Sequence, residues 1–280
     1  MVSRRFVLLK LLLLLTACET AEVPKLGRLT IGVVGYREGG KSMEQYSAFT
    51  NYLGGQLKTL IELEPVYNEV RALEQIKGRV WSLVFAPPGL AAIAISQNQY
   101  LPLFPLEGVE KGRSVIVVRQ DSPIKKLTEL KGKVIALGQL GSATGYYLPI
   151  YNLYGLTLAE VRFAPTPKTV LQWIENTEVA AGALSLDELD RYRSNFSRTK
   201  FRILAANSVP PGALLVGPMI ERNQQEQIRK ALASASPAAI AAAGYIPSAK
   251  VPDYKGLIEV IEKVKPITKR INEKPARLFK

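Results

Sequence analysis

The chain has 280 residues, 47% of them hydrophobic, and 37 lysines and arginines outnumber 24 aspartates and glutamates to give a formal charge of +13. One cysteine and no histidine exclude an internal disulfide, a cysteine metal cluster and a serine–histidine triad, and they remove the commonest metal ligand and general base. The basic residues are scattered without interleaved aromatics or arginine clusters, so they read as a solvated basic surface, and no nucleic-acid partner is expected.

Residues 1–17 open with Arg4 and Arg5, pass through an apolar run broken by Lys10 and close on small residues, the anatomy of a secretory signal peptide. The run is about half of what a membrane-spanning helix needs. Leu15-Thr16-Ala17-Cys18 resembles a bacterial lipobox, so Cys18 is expected to carry a lipid that anchors the exported chain to a membrane. Residues 18–27 read as a tether. Loss of the leader removes three positive charges, which leaves +10 on residues 18–280.

From Leu29 onward, apolar strand-like runs alternate with helix-length amphipathic stretches, a rhythm that predicts an α/β fold with a mostly parallel sheet. The first strand, LTIGVVG, leads into GYREGGKS at residues 35–42, which matches the phosphate-loop consensus with Lys41 and Ser42 in the phosphate and magnesium positions. A nucleotide hydrolase also needs an acidic residue at the end of a second strand to hold magnesium. VWSLVFAPP, KVIALGQ and FRILAAN all finish without one, so the match is read as coincidence and the segment as a strand-to-helix loop. Tyr36 in that loop and Tyr67 after TLIELEPV each follow a strand, near the edge where open α/β sheets bind ligands.

Further along, DSPIKKLTELKG predicts a short charged helix and KVIALGQ a strand that runs into GSATGYYLP. There Ser142 and Thr144 are placed to cap a helix beginning near Gly145, which turns hydroxyls and free backbone amides toward an anion. In TPKTVLQWIENTEV, Lys168 stands at a helix start, either as a solvated residue or as a positive charge facing a ligand. The stretch ALASASPAAIAAAG reads as a helix, and GALLVGP at residues 212–218 as a return strand. Two β-rich crossings suggest one lobe interrupted by another. The expected division is a first lobe of residues 28–118 and 207–280, the latter carrying the C-terminal helices, and a second lobe of residues 119–206.

The lipobox, DSPIKKLTELKGKVIALG, GSATGYYLP, NTEVAAGALS and GYIPSAKVPDYKGL, in this order and spacing, resemble the phosphonate-type family of periplasmic substrate-binding proteins, over nearly all of residues 28–265. The resemblance implies a two-lobed periplasmic binding protein fold of type II, with two hinge strands and a ligand cleft between the lobes. It also implies no catalysis, no cofactor, and a partner permease of an ATP-driven importer; a monomer is expected. The binding residues it implies lie at Ser142, Ala143, Thr144 and Gly145, where the family usually has serine, threonine, serine and glycine, so Ala143 lacks one hydroxyl. A family aromatic hydroxyl falls near Ala86, the usual aspartate on Ala180 with Glu178 two positions earlier, and a further acidic position near Lys168. Without that acidic pair, the expected ligand is a small phosphorus oxyanion that carries no amino group. A sensor or scaffold of the same fold, with its pocket altered, is the alternative.

Overall fold

The computed structural model describes residues 27–35, 42–107, 112–196 and 198–279. The signal peptide, Cys18, Tyr36 and Lys41 lie outside these residues.

The first half alternates as its sequence predicts: β1 (Arg28–Val34), α1 (Ser47–Leu57), β2 (Leu60–Val66), α2 (Glu69–Lys77), β3 (Leu83–Ala86), α3 (Pro88–Asn98) and β4 (Leu101–Pro105). Local chemistry sets the helix starts. The Asn68 side chain accepts from the Arg71 amide at 2.8 Å to cap α2, and Pro88 opens α3 with its φ already fixed. The chain then runs through β5 (Arg113–Arg119), β6 (Val134–Leu137), a wide π-type turn at Ala143–Tyr147 that continues into α4 (Leu148–Asn152), β7 (Thr157–Leu158), β8 (Glu160–Phe163), α5 (Pro167–Glu175), β9 (Ala181–Ser185), α6 (Leu186–Tyr192) and β10 (Phe201–Ser208). It returns through β11 (Ala213–Val216), α7 (Arg222–Ala233), α8 (Pro237–Ala243), α9 (Lys255–Thr268) and β12 (Ala276–Arg277).

Two five-stranded sheets result, ordered β2-β1-β3-β11-β4 and β10-β5-β9-β6-β8. In the first, β1 lies parallel to β2 and β3 while β11 runs antiparallel between β3 and β4. In the second, β6 lies parallel to β8 and β9, and β5 is antiparallel to β9 and β10. The chain passes between sheets twice, from β4 to β5 and from β10 to β11.

Four assignments differ from expectation. Strand β5 pairs in the second sheet, so residues 113–118 leave the first lobe, as do residues 207–208 at the end of β10. An all-apolar strand suits either sheet, and only distant pairing decides. The C-terminal segment is not confined to the first lobe either, because α9 packs on both α3 and α4, and β12 pairs with β7. ALASASPAAIAAAG breaks into two helices, since Ser236 caps a new one at the Ala239 amide and Pro237 starts it. DSPIKKLTELKG forms only a short 3-10 turn at Leu127–Leu130.

On one face of the first sheet α1, α7 and α8 enclose a core with Phe49, Phe85 and Tyr245. On the second sheet α5 and α6 enclose another, with Val117, Leu171 and Tyr192. The largest core is shared: Leu73 and Leu90 from the first unit join Ile116, Ile135 and Tyr146 from the second, with Ile261 of α9.

Candidate functional site

The site grows from the C-terminal end of β6. After Leu137, the Gly138 amide donates to the Gly145 carbonyl at 2.8 Å. These glycines lie so close that a side-chain carbon on Gly145 would stand 3.2 Å from the Gly138 α-carbon. Ser142 is extended, and its hydroxyl oxygen accepts from the Gly145 amide at 3.0 Å. The amides of Tyr146 and Tyr147 both donate to the Ser142 carbonyl, at 3.2 and 3.1 Å, which widens the first turn. The helix therefore begins at Ala143, two residues before the expected start. Ser114 on β5, 1% exposed, donates to the Thr144 carbonyl at 2.7 Å and ties the turn to the sheet. The Thr144 hydroxyl bonds to no described residue. The first amides of a helix have no acceptor within it, so Ala143 and Thr144 present donors at this end of the sheet.

The first unit meets this turn through the N-terminus of α3. A side-chain carbon on Gly89 would lie 2.1 Å from the Gly141 carbonyl oxygen and 2.6 Å from the Ala143 nitrogen. Only glycine permits that approach. Gly141 itself has φ +110, and a carbon added there would meet Glu69, Leu90 and Leu73. Beside Ser142 and Gly145, bounded also by Thr166, Pro167 and Glu188, remains a cavity of about 10 Å³, room for about one water. Glu188 accepts from the Ser185 amide at 2.8 Å while the Ser185 hydroxyl accepts from the Glu188 amide at 3.1 Å, a reciprocal cap on α6. Burial pushes the Glu188 carboxyl above its usual range, although the Ser185 bonds pull the other way.

Of the expected site residues, Ser142, Ala143, Thr144 and Gly145 form one turn. Tyr67 follows β2 and is 47% exposed. Lys168 is the second residue of α5 and half-buried; its neighbours Thr166 and Pro167 line the small cavity, and Lys168 does not. Ala86 is fully buried in β3. Ala180 precedes β9, and its amide donates to the Val134 carbonyl at the start of β6. Parallel strands put all their C-terminal ends on one side, so Ala180 and Glu178 stand at the end of the sheet opposite Ser142. On the Ser142 side the acidic residues are Glu69, which adjoins Gly141, and Glu188, which lines the small cavity and was not among the expected site residues. Its signal was readable as Ser-x-x-Glu before a helix, and Thr166-Pro167 was readable as a cap followed by a first-turn proline. Gly89 carried no local signal. Among the described residues no cluster of acidic, cysteine or histidine side chains could hold a metal ion.

The family description for the ABC transporter, phosphonate, periplasmic substrate-binding protein matches residues 31–260. A search of curated proteins gave no match. Among solved structures, a Xanthomonas citri protein bound to ATP superposes with a TM-score of 0.70 at 20% identity, covering 86% of this chain and 98% of that one. PhnD1 from Prochlorococcus marinus in complex with methylphosphonate superposes at 0.65 with 15% identity, covering 88% and 100%. A binding protein component of an ABC phosphonate transporter from Pseudomonas aeruginosa superposes at 0.63 with 12% identity, covering 88% and 89%. The two-sheet α/β architecture is thus that of type II periplasmic binding proteins.

Proposed function

We propose, on the premise that this chain belongs to the phosphonate-type periplasmic substrate-binding protein family of ABC transporters, that it captures a small phosphorus oxyanion at the Ser142–Gly145 turn while lipidation of Cys18 holds it at a membrane. The family is the ligand-capturing part of a transporter and not an enzyme; it acts in the periplasm and works with a membrane permease. A monomeric chain suffices for that role.

The observation that supports this reading best is the turn itself. Its Ser142 hydroxyl holds the Gly145 amide, its first amides point out of the helix, and the N-terminus of α3 lies against it. Helix N-termini carry partial positive charge and unpaired donors, the chemistry that an oxyanion seeks. About 10 Å³ admits no phosphonate, so binding requires Gly89 to withdraw from Gly141 and the units to part before they close on the ligand. Closure then needs the ligand to bind the closed arrangement better than the open one. Tyr36 and Tyr67 would add donors from the first unit and Lys168 a charge from the second. Glu188 lies on the same side; because burial favours its protonated form, it opposes an anion less than an ionised carboxylate would.

Thermal unfolding of the exported chain with phosphate, phosphite, methylphosphonate, 2-aminoethylphosphonate, sulfate and ATP tests the proposal. A ligand at a hundred times its Kd adds about 2.7 kcal/mol. Stabilisation by one phosphorus oxyanion, lost on Ser142→Ala with Thr144→Ala, supports capture at the turn. Tighter binding of 2-aminoethylphosphonate than of methylphosphonate would sink the expectation of a ligand without an amino group and direct attention to Glu188. ATP is included because a structural relative was solved with it. A second reading, a sensor or scaffold of the same fold, draws support from the closed Gly89–Gly141 contact, and it takes over if no compound in the series stabilises the chain.

A further inference from the structure

A separate cavity of about 220 Å³ lies where α2, α3 and α9 meet the second unit. Its walls are largely aliphatic, with Leu73 and Ile93 from the first unit, Leu140 from the loop after β6 and Ile261 from α9, and Gln97 of α3 and Thr268 of α9 complete them. Three lysines, Lys77, Lys265 and Lys269, stand around it. Lys265 pairs with Glu262 at 3.5 Å, whereas Lys77 and Lys269 form no ion pair with any described residue. Tyr147 also lines the cavity; it is 5% exposed, and its hydroxyl bonds to no described residue. Burial first, then the neighbouring Tyr146 and Glu262, push this phenol well above its ordinary range, so it remains a hydrogen-bond donor.

An apolar chamber with unpaired cations at its rim and one buried donor fits an amphipathic anion. With the Gln97 amide and the Thr268 hydroxyl already donating to Glu262 and Val264, the largely aliphatic lining offers few polar partners to a sugar or a polyol. We propose that this cavity binds a medium-chain carboxylate, with the hydrocarbon tail among Leu73, Ile93, Leu140 and Ile261 and the carboxylate among Lys77, Lys269 and the Tyr147 hydroxyl. The chamber is many times larger than the one-water space beside Ser142 and admits a hydrocarbon tail of several carbons, with octanoate as the probe of middle length. Both units line this site, and none of Ser142, Ala143, Thr144 and Gly145 does, although Tyr147 closes the same turn.

Calorimetric titration of the exported chain with hexanoate, octanoate, dodecanoate and octanol tests this. Affinity should rise about fourfold for each added methylene from hexanoate to octanoate, the gain expected from burying one methylene, and should stop rising once the chamber is full. Octanol, which lacks the charge, should bind at least tenfold more weakly than octanoate. Lys77→Gln with Lys269→Gln alters two exposed side chains and should cost octanoate at least tenfold while leaving octanol unchanged. Ile93→Phe, checked for folding by circular dichroism, should exclude every member of the series. Absence of octanoate binding, equal binding of octanoate and octanol, or full octanoate affinity in the double lysine variant would each overturn the proposal.

Discussion

Gly89 and Ser142 face each other across the junction, and they make opposite demands on substitution. Gly89→Ala places a carbon 2.1 Å from a carbonyl oxygen, so the units must part or the backbone must shift. The expected cost is about 1–3 kcal/mol, the usual range for overpacking, read from the urea midpoint. Ser142→Ala removes the acceptor for the Gly145 amide and should cost about 1 kcal/mol as a lost helix cap. Thr144→Ala removes a hydroxyl that no described residue uses, so stability should change by less than about 0.5 kcal/mol. A loss of oxyanion affinity in Thr144→Ala at unchanged stability would then mark direct contact, and full affinity would remove Thr144 from the site. Ser142 was legible in the sequence because a cap acts over three residues. Gly89 and Ala180 were not: one depends on a contact between distant segments, the other on which end of a parallel strand a residue occupies.

The C-terminal segment shows the same contrast at the level of elements. The amphipathic period of α9 was readable, but the surface it packs on was not, since the same apolar stripe suits either unit. Leu278, fully buried, exchanges backbone bonds with Gly155 and Leu156 at 2.9 Å each. Leu278→Ala should destabilise the chain by about 2–5 kcal/mol, measured by urea unfolding. Lys274 holds Glu160 at 3.0 Å, and this bond, with Arg162 assisting, keeps the Glu160 carboxyl below its ordinary value of 4.5. A depressed carboxylate contributes stability above its unfolded pKa and loses it as pH falls through the lower folded value. The stabilising contribution of Glu160 is therefore complete above about pH 4.5 and fades below it. Glu160→Gln should shift the urea midpoint at pH 6 more than at pH 3, and equal shifts would show that the pair does not tie the C-terminal segment down. ALASASPAAIAAAG broke against expectation because Ser236 and Pro237 outweigh the helix preference of the flanking alanines.

At the scale of the whole molecule, the α/β alternation and the two-lobed plan were readable, while the shared core was not, because nothing local tells a strand which sheet it will join. Since Leu73 and Leu90 pack in one cluster with Ile116, Ile135 and Ile261, the two units should unfold together. Scanning calorimetry of the ligand-free chain should show one transition with equal calorimetric and van't Hoff enthalpies; two separated transitions would show that the shared core does not couple the units. The path of the chain has one more result. It enters through β1 in the first sheet and finishes in β12, fastened to β7 of the second unit. A donor fluorophore just before β1 and an acceptor just after β12 would therefore ride on different units, and the energy transfer between them would follow the opening angle in solution without a dye placed anywhere near the ligand.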